Sequence, residues 1–184
     1  MILAGVFANI FTGLTLTYNE YKSDLTTTTE VTKDVQFHFG DSKELAKWVR
    51  GRSGKEKYPL IWYVIDTVNN GNTQDIKSNC KLILFTSTKS EYYNNTRALI
   101  NYTNILEPLT QKIYDLLELN GYLSLIFNNN EEIYKTFDLP NYGVDSDGLD
   151  MERNELKGTK SITIDVVDAR RIEFQARFNK QCLI

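Results

Sequence analysis

Little in this sequence can ligate a metal, close a disulfide or act as a base near neutral pH. Among 184 residues there are two cysteines and one histidine. Cys80 sits inside an apolar run, Cys182 lies close to the C-terminus, and neither belongs to a CxxC pair. A dense disulfide framework is excluded, and both read as reduced thiols of a reducing cytosol. One histidine and two distant cysteines do not supply the usual zinc ligand set. His38 alternates with Phe37 and Phe39, as a strand side chain does. A Ser or Cys triad needs a placed nucleophile and an orienting acid besides the base, and no GxSxG elbow is present. Excess charge is also lacking: 21 Lys and Arg against 24 Asp and Glu leave a net charge of −3. No global basic field therefore draws the chain to nucleic acid or an anionic membrane. No apolar run approaches the roughly 18 residues of a membrane-spanning helix. The opening Met1–Phe7 stretch is apolar, but no cation precedes Lys22, and Asn9 and Thr12 break the pattern, unlike a secretory signal. There is no internal repeat and no linker.

What is present is enough for one domain. A hydrophobic content of 41% and a charged content of 24% are those of a globular chain, and this length can bury a core unaided. Ile2, Leu3, Val6, Phe7, Ile10 and Leu14 follow helical spacing and predict a helix over 2–14. The threonines Thr26–Thr29 read as an extended connection, or an arm ordered only against a partner. Val35–Phe39 alternates and predicts a strand. A helix then begins near Lys43, capped by Asp41 or Ser42 and ended by Gly51. Leu60–Ile65, apolar on both faces, predicts a central strand. Asn69-Asn70-Gly71-Asn72 predicts the turn of a hairpin, with a return strand over 76–87. Leu99, Tyr102, Leu106, Leu109, Ile113 and Leu116, spaced 3, 4, 3, 4 and 3, predict a long helix with one apolar stripe, kinked or broken at Pro108. Asn120-Gly121 ends it and Tyr122–Phe127 predicts a strand. Residues 128–157 look irregular, with turns at Asn128–Asn130 and Pro140–Gly143. Finally Ile162–Val167 and Arg171–Phe178 predict a second hairpin turning at Asp168-Ala169, with one buried and one charged face. The sum is an α+β fold: a mixed, mostly antiparallel sheet, a long kinked helix on one face, an N-terminal helix and extended arms.

Three segments could carry a site. Arg50, Arg52, Lys55 and Lys57 make a basic, glycine-containing loop. Its Gly51-Arg52-Ser53-Gly54-Lys55 core is too short for a phosphate loop, is followed by Glu56, and comes after a helix rather than a strand. Asp145, Asp147 and Asp150, with Glu152 and Glu155 beyond, gather carboxylates, but Gly148 follows Asp147 too soon for an EF-hand, and a plain acidic turn is the better reading. Among the eleven tyrosines, Tyr92, Tyr93 and Tyr142 fall in predicted loops, where tyrosine serves contacts or ordinary packing. None of this calls for a cofactor or a metal, and no catalytic residue stands out.

The order of these elements carries a resemblance. Phe37-His38-Phe39-Gly40-Asp41-Ser42-Lys43-Glu44-Leu45, Tyr58-Pro59-Leu60-Ile61-Trp62, Leu84-Phe85-Thr86-Ser87-Thr88 and Leu106-Glu107-Pro108-Leu109 follow a short N-terminal helix and precede a C-terminal hairpin. Over residues 1–127 and 159–178 the chain resembles head-to-tail connector and tail-completion proteins of tailed bacteriophages, most of all those of Bacteroidetes-infecting and crAss-like phages. The resemblance implies a non-enzymatic virion subunit of tail-terminator-like fold, with helices on one side of the sheet and arms reaching neighbours. It further implies a homo-oligomeric ring, twelvefold, between portal and neighbouring neck or tail proteins, made in the host cytoplasm. Arg50, Arg52, Lys55 and Lys57 are then candidates for a lumen face touching passing DNA non-specifically, with no membrane contact. Two other readings stay open: a small binding or regulatory module with the acidic loop as ligand site, and an enzyme with an unfamiliar carboxylate site.

Overall fold

A computed structural model of the chain describes residues 2–51, 57–65, 69–71, 75–89, 91–126, 132–142 and 167–179. In chain order the elements are α1 (Ile2–Ile10), β1 (Thr15–Tyr21), β2 (Thr28–Asp34), β3 (Gln36–Gly40), α2 (Ser42–Gly51), β4 (Leu60–Val64), β5 (Asn69–Gly71) and β6 (Asp75–Ser87). There follow α3 (Asn94–Arg97), a π-helical segment (Ala98–Leu106), α4 (Glu107–Leu119), β7 (Leu123–Leu125), β8 (Lys135–Tyr142) and β9 (Val167–Asn179). The fold is α+β. A seven-stranded sheet runs β3-β4-β6-β9-β7, with β5 added beside β6 and β8 beside β9. Among the described strands only β3 and β4 are parallel.

The sheet is buried on both faces because its central strands are apolar on both. Ile61, Tyr63, Leu82, Leu84, Ile172, Phe174, Ala176 and Phe178 face one core with α1, the π segment and α4. The alternate residues Leu60, Trp62, Ile83, Phe85 and Ala169 meet Leu45 of α2. Period-two alternation sorts the side chains to the two faces. The helices therefore cover both sides, not one as the resemblance implies: α2 sits opposite the long helix.

Local chemistry explains the element ends. Asp41 Oδ1 accepts from the Glu44 N–H at 2.8 Å, and Glu44 Oε2 accepts from the Asp41 N–H at 2.9 Å, a reciprocal cap on α2. Gly40 precedes it at φ 149°, and a Cβ there would come within 2.9 Å of Glu44 Cβ. Gly40→Ala is expected to cost about 1–3 kcal/mol from strain and from a displaced cap, read as a shift in the urea midpoint. At the other end of the long helix, Asn120 stops the winding with its side chain. Its Nδ2 donates to the Leu117 and Leu116 carbonyls at 2.6 and 3.1 Å, and its Oδ1 accepts from the Tyr122 and Leu123 N–H groups.

Several expectations need correction. The threonine stretch is no loose connection: Thr28 and Thr29 start β2, which pairs with β1 from Thr15↔Asp34 to Tyr21↔Thr28. The helix does not break at Pro108. Residue Leu106, the N-cap of α4, keeps helical angles, and the winding changes from π to α just before the proline. That π stretch rotates the stripe. Ile100, Ile105, Leu106, Leu109, Ile113 and Leu117 are buried, while Leu99 is 52% exposed. Asn69–Gly71, read as turn, forms β5 antiparallel to Ile76–Ser78, and Asn72 lies outside the described residues. Within the segment read as irregular, β8 runs through Pro140 as an edge strand with a bulge between Leu139 and Tyr142. Asp168-Ala169 is no turn: β9 is continuous and pairs with β6 along its whole length, Asp75↔Asn179 to Ser87↔Val167. Residues 143–166, which include Ile162–Val166 and the acidic loop, lie outside the described residues.

Candidate functional site

The β1–β2 hairpin forms its own two-stranded sheet, separate from the seven-stranded one. Its β1 strand is tied down at both ends by the long helix. Asn104 of the π segment donates from Nδ2 to the Asn19 carbonyl at 2.6 Å and accepts from the Asn19 N–H at 3.1 Å. Lys112 Nζ donates to the Thr15 carbonyl at 2.9 Å. Its tip is closed by one side chain. Asp24 accepts from the Thr27 hydroxyl at 2.6 Å and from the Thr26 and Thr27 N–H groups. These bonds, the Thr27 hydroxyl foremost, hold the Asp24 carboxyl down to about 2. A depressed carboxyl stabilises the turn above its unfolded value of 3.8, and that contribution is lost as pH falls toward 2. Amide exchange at Thr26 and Thr27 should accelerate over that window while exchange in β6 does not.

Between this hairpin, the π segment and the C-terminal end of β6 lies a groove of about 700 Å³. Lys22 and Lys33 line the hairpin wall, Lys89 the opposite wall, and Asn101 and Thr88 the floor. The floor is fixed from below. Asn101 Nδ2 donates to Asp168 Oδ2 at 2.6 Å and to Thr88 Oγ1 at 2.8 Å. Asp168 in turn pairs with Arg97 at 2.7 Å, and both side chains are almost fully buried. Arg97 also donates to the Tyr92 and Lys89 carbonyls, so the connection after β6 is fastened to the same buried charge. Next to it, Arg170 pairs with Asp138 of β8 at 2.6 Å and with Glu107 at the start of α4. Two arginines thus join the long helix, β8 and β9. Sequence reading missed both, because Asp168 looked like turn punctuation. The one available signal was a charge within a run that otherwise alternates.

A second cavity, of about 360 Å³, lies at the edge of β9 in the gap between β7 and β8, near Ile126, Lys135 and Gln175. Cys80 lines it but is buried, and desolvation pushes its thiol up to about 12, so it is a packing group rather than a nucleophile.

Those residues singled out by sequence that lie among the described residues do not converge. Lys57 is 4% exposed and its ammonium donates to the Val49 carbonyl at 2.8 Å, which turns it inward. Arg50 belongs to α2, while Arg52 and Lys55 lie outside the described residues, as do Asp145, Asp147 and Asp150. His38 stacks near Trp48 and Trp62, at 4.5 and 6.4 Å between ring centroids. Tyr142 is buried against Phe85 in β8, whereas Tyr93 is 84% exposed. Among the described residues no group of three or more His, Cys, Asp or Glu side chains could hold a metal ion. Among the described residues no helix is long and apolar enough to cross a membrane. Compared with known proteins, the chain matches no family model and no curated protein.

Proposed function

We propose that the chain is a virion structural protein: one subunit of a ring in the head-to-tail connector of a tailed bacteriophage, joining portal to tail. The observation that carries this reading is the β1–β2 hairpin. A lone two-stranded hairpin is marginal in water, and a third strand or a packed face is what makes it stable. Its β1 strand is held by Asn104 and Lys112, whereas residues 22–30 are exposed and the outer edge of β2 pairs with no other strand among the described residues. Such an edge is a template for another chain, and a heterologous contact of this kind closes into a ring when its rotation permits. The sheet adds a further open edge at β3, where Phe39 is 42% exposed. Arg50, Arg52 and Lys55 stay candidates for the DNA passage in this reading, and Lys57 leaves the set.

The test is the native mass of the purified chain, alone and mixed with the portal protein of the same genome. A large symmetric oligomer, or stoichiometric capture by the portal, supports the connector reading. A monomer that ignores the portal overturns it. A second reading, a binding module, is favoured by the lysine-lined groove rather than by the acidic loop.

A further inference from the structure

We propose that the groove beneath the β1–β2 hairpin is a binding site for a phosphate-bearing ligand, held by Lys22, Lys33 and Lys89. The chain as a whole is acidic, with a net charge of −3. The described lining of this groove is the reverse: three lysines against Glu20 alone. Glu20 lies 3.7 Å from Lys33, and among the described residues no ion pair joins Lys22 or Lys89 to a carboxylate. They come from two walls, one after β1 and one after β6. Lysines on facing walls of one groove set up a local positive field in an otherwise acidic chain, and such a field draws an anion.

The residue types specify the anion further. Lysine is a compact point charge suited to phosphate, whereas planar bidentate recognition of a carboxylate favours arginine. The arginine here, Arg97, is sealed beneath the floor by Asp168. Neutral donors complete the set. The Thr88 hydroxyl accepts from Asn101 and so keeps its own hydrogen to donate, and Ser87 adds a second hydroxyl. The site is ordered before any ligand arrives. Asn101 is 1% exposed and locked by two hydrogen bonds, and the Lys33 and Lys89 ammonium groups lie 5.6 and 5.5 Å from the Tyr18 and Tyr92 ring centroids. Groups that are already placed lose less entropy on binding. A volume of about 700 Å³ also falls within the range of small-ligand sites. The π winding of the wall is a second pointer, since such segments cluster at functional sites.

Phosphate groups reach a protein from free phosphorylated molecules or from a nucleic-acid backbone, and the test separates the two. The full chain is titrated calorimetrically at physiological salt with tripolyphosphate, with ATP and with a short DNA duplex. At least one should bind saturably, with one ligand per chain for the small molecules. Lys22 and Lys89 are exposed, so the double variant Lys22→Gln, Lys89→Gln keeps the core intact, which a thermal melt checks. It should bind roughly tenfold more weakly or worse, as the loss of charge-assisted hydrogen bonds requires. Lys47→Gln, on the exposed side of α2, should bind like the parent. Binding of tripolyphosphate and ATP without the duplex assigns a free ligand; binding of the duplex alone assigns a strand backbone. Absence of saturable binding by all three overturns the proposal, as does unchanged affinity in the double variant. The groove is built within one chain, so a monomer that binds ATP would retire the ring reading and leave this one standing.

Discussion

Replacing Asp168 with alanine is expected to destabilise the protein by about 3–5 kcal/mol, because it leaves a guanidinium buried without its counter-charge. The Arg97 and Asp168 side chains are 3% and 0% exposed. Water therefore cannot resolvate Arg97 in the variant, and the Tyr92 and Lys89 carbonyls it already meets supply no negative charge. Asn101 would also lose its 2.6 Å acceptor. For a domain of this size the melting temperature should fall by roughly 10 °C. The same logic predicts a partial rescue. Arg97→Met combined with Asp168→Leu removes both charges together, and well-packed apolar replacements of buried pairs are often neutral or better. The connection after β6 would still loosen, since Arg97 no longer fastens it, so amide exchange near Tyr92 should rise even where stability recovers. Breaking the exposed Lys33–Glu20 pair, 29% and 40% exposed, should cost no more than about 1 kcal/mol. Urea titration distinguishes these cases. A loss below 1 kcal/mol for Asp168→Ala would mean that the pair is open to water.

The contrast between these two pairs shows what could be read from sequence and what could not. Strands such as Leu60–Val64 were legible because a run apolar on both faces has one stable place, the centre of a sheet. The cap at Asp41 and Glu44 was partly legible because capping is a matter of three residues. The phase of the long helix was legible over Leu106, Leu109 and Ile113, which are buried as the stripe requires, but not at its start. An expected stripe through Leu99 assumes α winding throughout, and the π segment moves the buried positions to Ile100 and Ile105. Nothing local announces that change; tertiary packing against β1 and β6 selects it. Asp168 failed for a related reason. A buried aspartate in a strand is costly unless a distant arginine meets it, and Arg97 stands 71 residues away. The groove was invisible for the same reason, since Lys22, Lys33 and Lys89 converge only once the hairpin folds over the π segment. Thr26–Thr29 carried β-branched composition, but polar strands without an apolar face leave no alternation to detect.

Phe7→Ala should be nearly as damaging as Asp168→Ala, at about 3–5 kcal/mol, and it tests whether the N-terminal helix is a wall of the core or an arm. Phe7 is 0% exposed. Its ring packs 4.7 Å from Tyr63 of β4 and meets Phe174 and Phe178 of β9 edge-on at 6.2 and 5.9 Å, centroid to centroid. Truncation would open a cavity between two central strands that pair through β6, where neighbouring side chains are held by the sheet and cannot collapse into it. Unfolding followed by circular dichroism and by tyrosine fluorescence should stay a single coincident transition, shifted to lower urea. A core wall gives that pattern. An arm gives another: a small loss, below about 1 kcal/mol, and an early transition confined to helix signal. Leu119→Ala, at a side chain 85% exposed on the end of α4, should shift stability by no more than about 0.5 kcal/mol and marks the baseline. If Phe7 behaves as a core residue, the proposed connector reading is left, among the described residues, with the β1–β2 hairpin rather than α1 as its arm, and variants that test it belong on residues 22–30.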